Sequence, residues 1–204
     1  NIAIGLNALG AATTACSNIA IGNAALSAAL VKSGSDDACN NIAIGSNSAD
    51  AMTTGYENIA IGVNALGAAT NNAMNIAIGC GAMAATVDDG DDGIAIGKGA
   101  MGQGDVSGDQ NIVIGRNAGL VLTSGTYNFI AGNAAYALTS GSYNVAIGPS
   151  ALAAATTGHD NIAIGRNAAD ALTGNTHCNI AIGCGALSAG TSGCTNIALG
   201  RLAI

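Results

Sequence analysis

His159 and His177 are the only histidines in the chain, and each stands two residues before an Asn-Ile-Ala-Ile-Gly string. Such a pair suits a metal or an acid–base role. Neither a Ser-His-Asp order, an HExxH helix nor a GxxxxGK phosphate loop accompanies it. Exposed turn residues are the plainer expectation, and no enzyme activity is expected. The acids cluster more tightly. Asp88, Asp89, Asp91 and Asp92 crowd one turn, and Asp109 lies two residues before the next string, with Asp105 close by. Carboxylate oxygens at a Gly-rich turn suit calcium, so Asp88, Asp89, Asp91, Asp92 and Asp109 are the candidate ligands; a solvated acidic turn is the alternative reading. No other cofactor is expected. Four of the five basic residues, Lys98, Arg116, Arg166 and Arg201, each follow the Gly that closes a string. A sparse basic stripe of this kind fits an acidic glycan, the acids of a neighbouring chain, or merely a solvated corner. Tyr127 and Tyr143 directly precede consecutive strings, a placement that suits a ladder for stacking sugars or for covering a core edge.

The strings position all of these residues. NIAIG, or a close variant, begins at 1, 18, 41, 58, 75, 93, 111, 128, 144, 161, 179 and 196. Internal periods of this kind mark a solenoid. Counting each start as position 0, Asn fills that position in eleven units, with Gly93 in the other, and Gly fills position 4 in all twelve. Twenty of the 22 Ile occupy positions 1 and 3, while position 2 is Ala in ten units. Alternation with period two, closed by Gly, predicts a short strand and a corner, with Ile on one face and Asn, Ala and Gly on the other. A helical repeat would need apolar spacings of three and four without a fixed Gly. The expected fold is therefore all-β: a parallel β-solenoid, either a left-handed β-roll or a β-helix, of about twelve coils. Most coils have 16–18 residues, and one carries an insertion near Lys32 to Asn40. The whole chain, 1–204, reads as one repeat domain forming a rod about 55–60 Å long. Ile is the most apolar of the repeated residues, so the Ile columns are the expected core: Ile2, Ile4, Ile59, Ile61, Ile76, Ile78, Ile162 and Ile164.

The six cysteines sort by position. Cys16 and Cys39 each lie two residues before a start, on adjacent coils, and would close the coil that carries the insertion. Cys178 and Cys194 lie one and two residues before consecutive starts and are expected to form a second bridge. Coils about 4.8 Å apart place such Cα atoms within disulfide range. Cys80 and Cys184 share position 5 but stand six coils apart. At about 29 Å they cannot pair within one chain, so they are free or bonded to another subunit. Bridges of this kind suit an oxidising, extracellular setting.

Twelve acids against five bases give a net charge of −7 and no basic stripe dense enough to neutralise phosphates, so no nucleic-acid partner is expected. Residues 1–31 and 58–87 carry no charge, yet both are broken by Asn, Thr, Ser and Gly, so no membrane insertion is expected. The chain begins at Asn1, which suggests a processed chain or an excerpt of a longer fibre.

The unit NIAIGxxA resembles the NSVAIGxxA repeat of the YadA-like heads of trimeric autotransporter adhesins. It is also similar to the NTAIGYNAL and TTGSYN arrays of phage tail-fibre proteins. The resemblance covers essentially the whole chain. It implies a left-handed parallel β-roll, three rolls packed as a homotrimer, and attachment to extracellular matrix or a host surface. The coils here are longer than the usual bacterial head repeat. A weaker similarity, of Ile4-Gly5-Leu6-Asn7-Ala8 to one hexapeptide of the left-handed β-helix acyltransferases, covers a third of each coil. The function expected is a structural and adhesive fibre module at a cell or virion surface. Its partners would be copies of itself, as a trimer or filament, together with a glycan or host surface. A self-assembling extracellular filament is the alternative, and an ice-binding solenoid a minor one, since the turn Thr residues form no unbroken column.

Overall fold

The computed structural model describes residues 1–28, 38–87, 90–189 and 192–204. Each repeat contributes one three-residue strand: β1 (Ile2–Ile4), β2 (Ile19–Ile21), β3 (Ile42–Ile44), β4 (Ile59–Ile61), β5 (Ile76–Ile78), β6 (Ile94–Ile96), β7 (Ile112–Ile114), β8 (Phe129–Ala131), β9 (Val145–Ile147), β10 (Ile162–Ile164), β11 (Ile180–Ile182) and β12 (Ile197–Leu199). All twelve lie in one sheet in chain order, every neighbouring pair parallel and in register. Ile59 sits beside Ile76, Ala60 beside Ala77 and Ile61 beside Ile78. The molecule is the parallel β-solenoid that the repeat predicts.

Among the described residues, turns make up most of the rest of each coil, and they are bent by backbone of unusual handedness. In the fourth coil Glu57 (φ 57°), Asn64 (φ 56°) and Leu66 (φ 50°) are all left-handed, and the same three positions recur along the rod. A left-handed residue with a side chain costs about 1–2 kcal/mol. Neighbouring coils offset that cost by taking up the turn amides. Asn64 N–H donates to Ser46 O at 3.0 Å, and Leu66 N–H donates to Ala82 O at 3.0 Å. A coil is therefore stable only against its neighbours. The one 16-residue coil omits the left-handed residue of the corner after Gly132. Ser150 N–H donates to Asn133 O and Ala135 N–H to Ala151 O, so the ladders continue on either side of the gap.

The alternation of faces is as expected, but the interior is on the opposite side. Ala20, Ala43, Ala77, Ala95, Ala146, Ala163 and Ala181 are fully buried. Ile2 and Ile4 are 52% and 59% exposed, and Ile59, Ile61, Ile76, Ile78, Ile162 and Ile164 are only partly covered. All eight residues expected as core lie on the outer face. The reason is volume. The interior is already occupied from the opposite wall by Leu or Met at position 8 or position 11. Leu66 is paired with Ala69, Ala49 with Met52, Met83 with Thr86, Met101 with Gly104, Gly119 with Leu122, and Ala169 with Leu172. In most coils such a side chain leaves room only for Ala at position 2 of the strand; Val113 and Ile130 fit there because Gly119 leaves the space beside them open. Ala69→Leu would place two large residues in one coil and should destabilise by about 1–3 kcal/mol. Adding Leu66→Ala should recover most of that loss in thermal melts.

Between the first and last coils, the Asn of position 0 shares the Ala face and is buried as well. Burying an amide is tolerated only when its hydrogen bonds are made, and here they are made in series. Asn144 donates its backbone N–H (3.0 Å) and its Nδ2 (3.1 Å) to Asn128 Oδ1. Its Nδ2 also donates to Gly158 O at 2.8 Å. Its own Oδ1 accepts Asn161 N–H at 3.0 Å. Gly93 interrupts this ladder: its N–H donates to Asn75 Oδ1 at 2.8 Å, and it has no amide to pass on. Cys16 and Cys39 are bonded, with Cα atoms 4.7 Å apart, across the coil that carries the insertion.

Candidate functional site

The reversed sheet presents two columns of Ile to the outside. Position 1 is Ile in ten coils, with Phe129 and Val145; position 3 is Ile in ten, with Ala131 and Leu199. Neither column contains a charge. Exposure reaches 41% at Ile114, 40% at Ile182 and 67% at Ile197. Eleven steps of about 4.8 Å make a strip about 53 Å long, and two columns of side chains make it roughly 15 Å wide. The resulting area of about 800 Å² exceeds the apolar patch that a solitary domain ordinarily exposes.

Two exposed rims border this strip. On one side is the residue before each start: Glu57, Met74, Asp92, Gln110, Tyr127, Tyr143, Asp160, Cys178 and Thr195 are all exposed and left-handed. On the other side is position 5, where Val63, Cys80, Lys98, Arg116, Pro149, Arg166 and Arg201 are exposed and Cys184 is partly covered. The bases of position 5 were evident from their spacing. Glu57 and Asp160 carry no signal in their own turns, where each is the only acid, and emerge only down the column. The charges separate cleanly: the first rim holds acids and no base, the second holds bases and no acid.

The cation candidates are otherwise engaged. Asp88 and Asp89 lie outside the described residues. Asp91 Oδ1 accepts Ala73 N–H at 2.7 Å, and Asp109 Oδ1 accepts Asp91 N–H at 3.1 Å. These carboxylates bond the backbone of the preceding coil, while Asp92 belongs to the neighbouring column. Among the described residues no three His, Cys, Asp or Glu side chains are grouped to hold a metal. His159 and His177 do come together, as stacked rings with centroids 4.4 Å apart, and His159 Nδ1 lies 3.4 Å from Asp160 Oδ2. Tyr127 and Tyr143 stack at 5.1 Å. Burial lifts the Asp50 carboxyl above its ordinary range, partly countered by a backbone hydrogen bond.

The expected bridge between Cys178 and Cys194 is not formed, and both thiols are free. The two residues stand in different columns. Thr195 follows Cys178, its N–H donating to His177 O, while Cys178 N–H donates to His159 O. Cys194 accordingly continues the histidine column. Cys80 and Cys184 are also free within the chain, and Arg166 Nη2 donates to Cys184 Sγ at 3.6 Å.

No helix among the described residues is long and apolar enough to cross a membrane, and the Cys16–Cys39 bond points to an oxidising setting. No family model, curated protein or solved structure matches the chain.

Proposed function

We propose that this chain is a structural module of an extracellular or virion-surface fibre, a rod that assembles with copies of itself and serves attachment. The observation that carries the reading is the uncharged Ile strip along all twelve strands. A patch of this size in water favours burial, at about 25 cal/mol per Å². Its partner must present matching ridges about every 4.8 Å, which another copy of the same solenoid does.

The width of the strip favours three copies. The residue before a start and position 5 are six residues apart, which is about 20 Å of extended chain. Three faces of that width, closed into a triangular prism, each stand about 6 Å from the axis. That is close to half the roughly 10 Å spacing of packed sheets, so Ile side chains fill the centre. Four faces would stand about 10 Å from the axis and leave it hollow. The resemblance to trimeric adhesin heads points the same way.

The double variant Ile61→Glu, Ile147→Glu tests this. Both residues are on the outer face, so circular dichroism should keep its β signature. Sedimentation should fall from a multimer to the 19.4 kDa chain. A wild-type chain that sediments as a stable, folded monomer at micromolar concentration would refute the reading.

A further inference from the structure

The two rims complement each other at four coils, in a way that one copy cannot use. Four of the pairs six apart across the strip are Asp92 and Lys98, Asp160 and Arg166, Cys178 and Cys184, and Tyr143 and Pro149, while Glu57 is matched with Val63 and Tyr127 with Asn133. The first two pairs are opposite charges, the third is two thiols, and the fourth is a ring with the chain's single proline. Within a chain each pair is separated by the width of the sheet, about 20 Å. A salt bridge needs about 4 Å and a disulfide needs Cα atoms within about 7 Å. The remaining bases also meet no base: Arg116 is matched with Gln110 and Arg201 with Thr195.

We propose that neighbouring copies lie parallel with their coils at equal height. The rim before the starts in one copy then meets the position 5 rim of the next, and Cys178 forms a disulfide with the next copy's Cys184. This rests on the self-assembly reading above and specifies its contacts. Asp92 then faces a neighbour's Lys98, and Asp160 faces a neighbour's Arg166, which turns from the Cys184 sulfur it touches in the single chain. A shift of one coil in either direction separates the thiols and leaves at most one charge pair, Asp92 with Arg116, in place of two. Two sheets face to face stand about 10 Å apart, too far for the bond, whereas three sheets meeting at their edges bring the rims together. Cys80 is matched with Met74 and remains a thiol.

The bond forms by exchange with a small-molecule disulfide such as oxidised glutathione. The Cys178 thiolate attacks it, giving a mixed disulfide and releasing one small thiol. The Cys184 thiolate of the neighbour then attacks the protein sulfur of that mixed disulfide, forming the S–S bond between chains and releasing the second small thiol. Two protein thiols are oxidised, one small disulfide is reduced to two thiols, and two protons leave the cysteines.

The test uses the full chain treated with oxidised glutathione and run on a non-reducing denaturing gel. Wild type should give covalent species that end at three chains. Cys178→Ser, at an exposed thiol, and Cys184→Ser, at a partly covered one, should each fold and each give no covalent oligomer. Co-assembled, the two variants should give a covalent dimer and nothing larger. Cys80→Ser should behave as wild type. Cross-linking that survives in either single variant, or that is lost with Cys80→Ser, would overturn the proposal, as would a co-assembly without the dimer. Sedimentation under reducing conditions separates the two ideas. A multimer that lacks the Cys178–Cys184 bond sinks only this inference, whereas a monomer sinks the assembly reading as well.

Discussion

Gly62→Ala is expected to lower stability by more than about 3 kcal/mol, while Gly81→Ala, in the next coil, costs about 1 kcal/mol. Both glycines have positive φ, 137° at Gly62 and 68° at Gly81, but their surroundings differ. A methyl group at Gly62 would stand 2.6 Å from the carbonyl carbon and oxygen of Gly79, and one at Gly81 would meet nothing within 4 Å. Alanine tolerates the left-handed region near 60° at about 1 kcal/mol. The Gly62 conformation lies far from it and strains any side chain further. Relief would have to come from moving the Gly79 backbone, whose N–H donates to Ile61 O at 2.8 Å. That hydrogen bond joins two coils, so local strain spreads along the rod. Urea titrations followed by circular dichroism give both values, and equal losses would show that the corner is roomier than drawn.

Removing one amide from the buried ladder should have the second large effect. Asn144→Ala deletes the acceptor for Asn161 N–H and the donor to Gly158 O, and it takes one donor from Asn128 Oδ1. A buried polar group left without its partner costs about 1–3 kcal/mol, so two or three of them cost several. Asn144→Asp should be no milder. It keeps an acceptor for Asn161 N–H but cannot donate to Gly158 O, and it buries a charge. Asn196 lies at the last coil and is exposed. Asn196→Ala is the internal control, with an expected loss below about 1 kcal/mol. The ladder argument fails if Asn144→Ala melts with Asn196→Ala.

The coil count, the strands, their register and the Cys16–Cys39 bond were legible because near-identical units can stack only like on like. Which face is inside was not. Alternation separates Ile from Ala and Asn but does not say which set is buried, and apolar rank alone favours Ile. The deciding signal lay elsewhere in the unit, in the single large residue shared between positions such as Leu66 and Ala69 or Ala169 and Leu172. It shows how narrow the interior is, and so why Ala fills position 2 everywhere except at Val113 and Ile130, which face Gly119. Cys178 and Cys194 were misjudged by one position. Sequence distance put them on adjacent coils, but the left-handed turn at Cys178 (φ 58°) sets the two columns apart. The candidate face is legible only in part, because apolar rank alone places its Ile residues in the core.

The hydrogen bonds that join coil to coil run along the rod, so a fibre under tension would yield one coil at a time. Each ordinary coil that peels away pays out about 17 residues, close to 58 Å of slack at about 3.4 Å per residue. The Cys16–Cys39 bond ties the two ends of a 23-residue span. While it is intact, that longest coil cannot lengthen however hard the ends are drawn. Reduction would turn this fixed point into the largest single store of extension in the chain, about 78 Å. In such a fibre, mechanical reach would be set by redox state at one coil and by load at all the others.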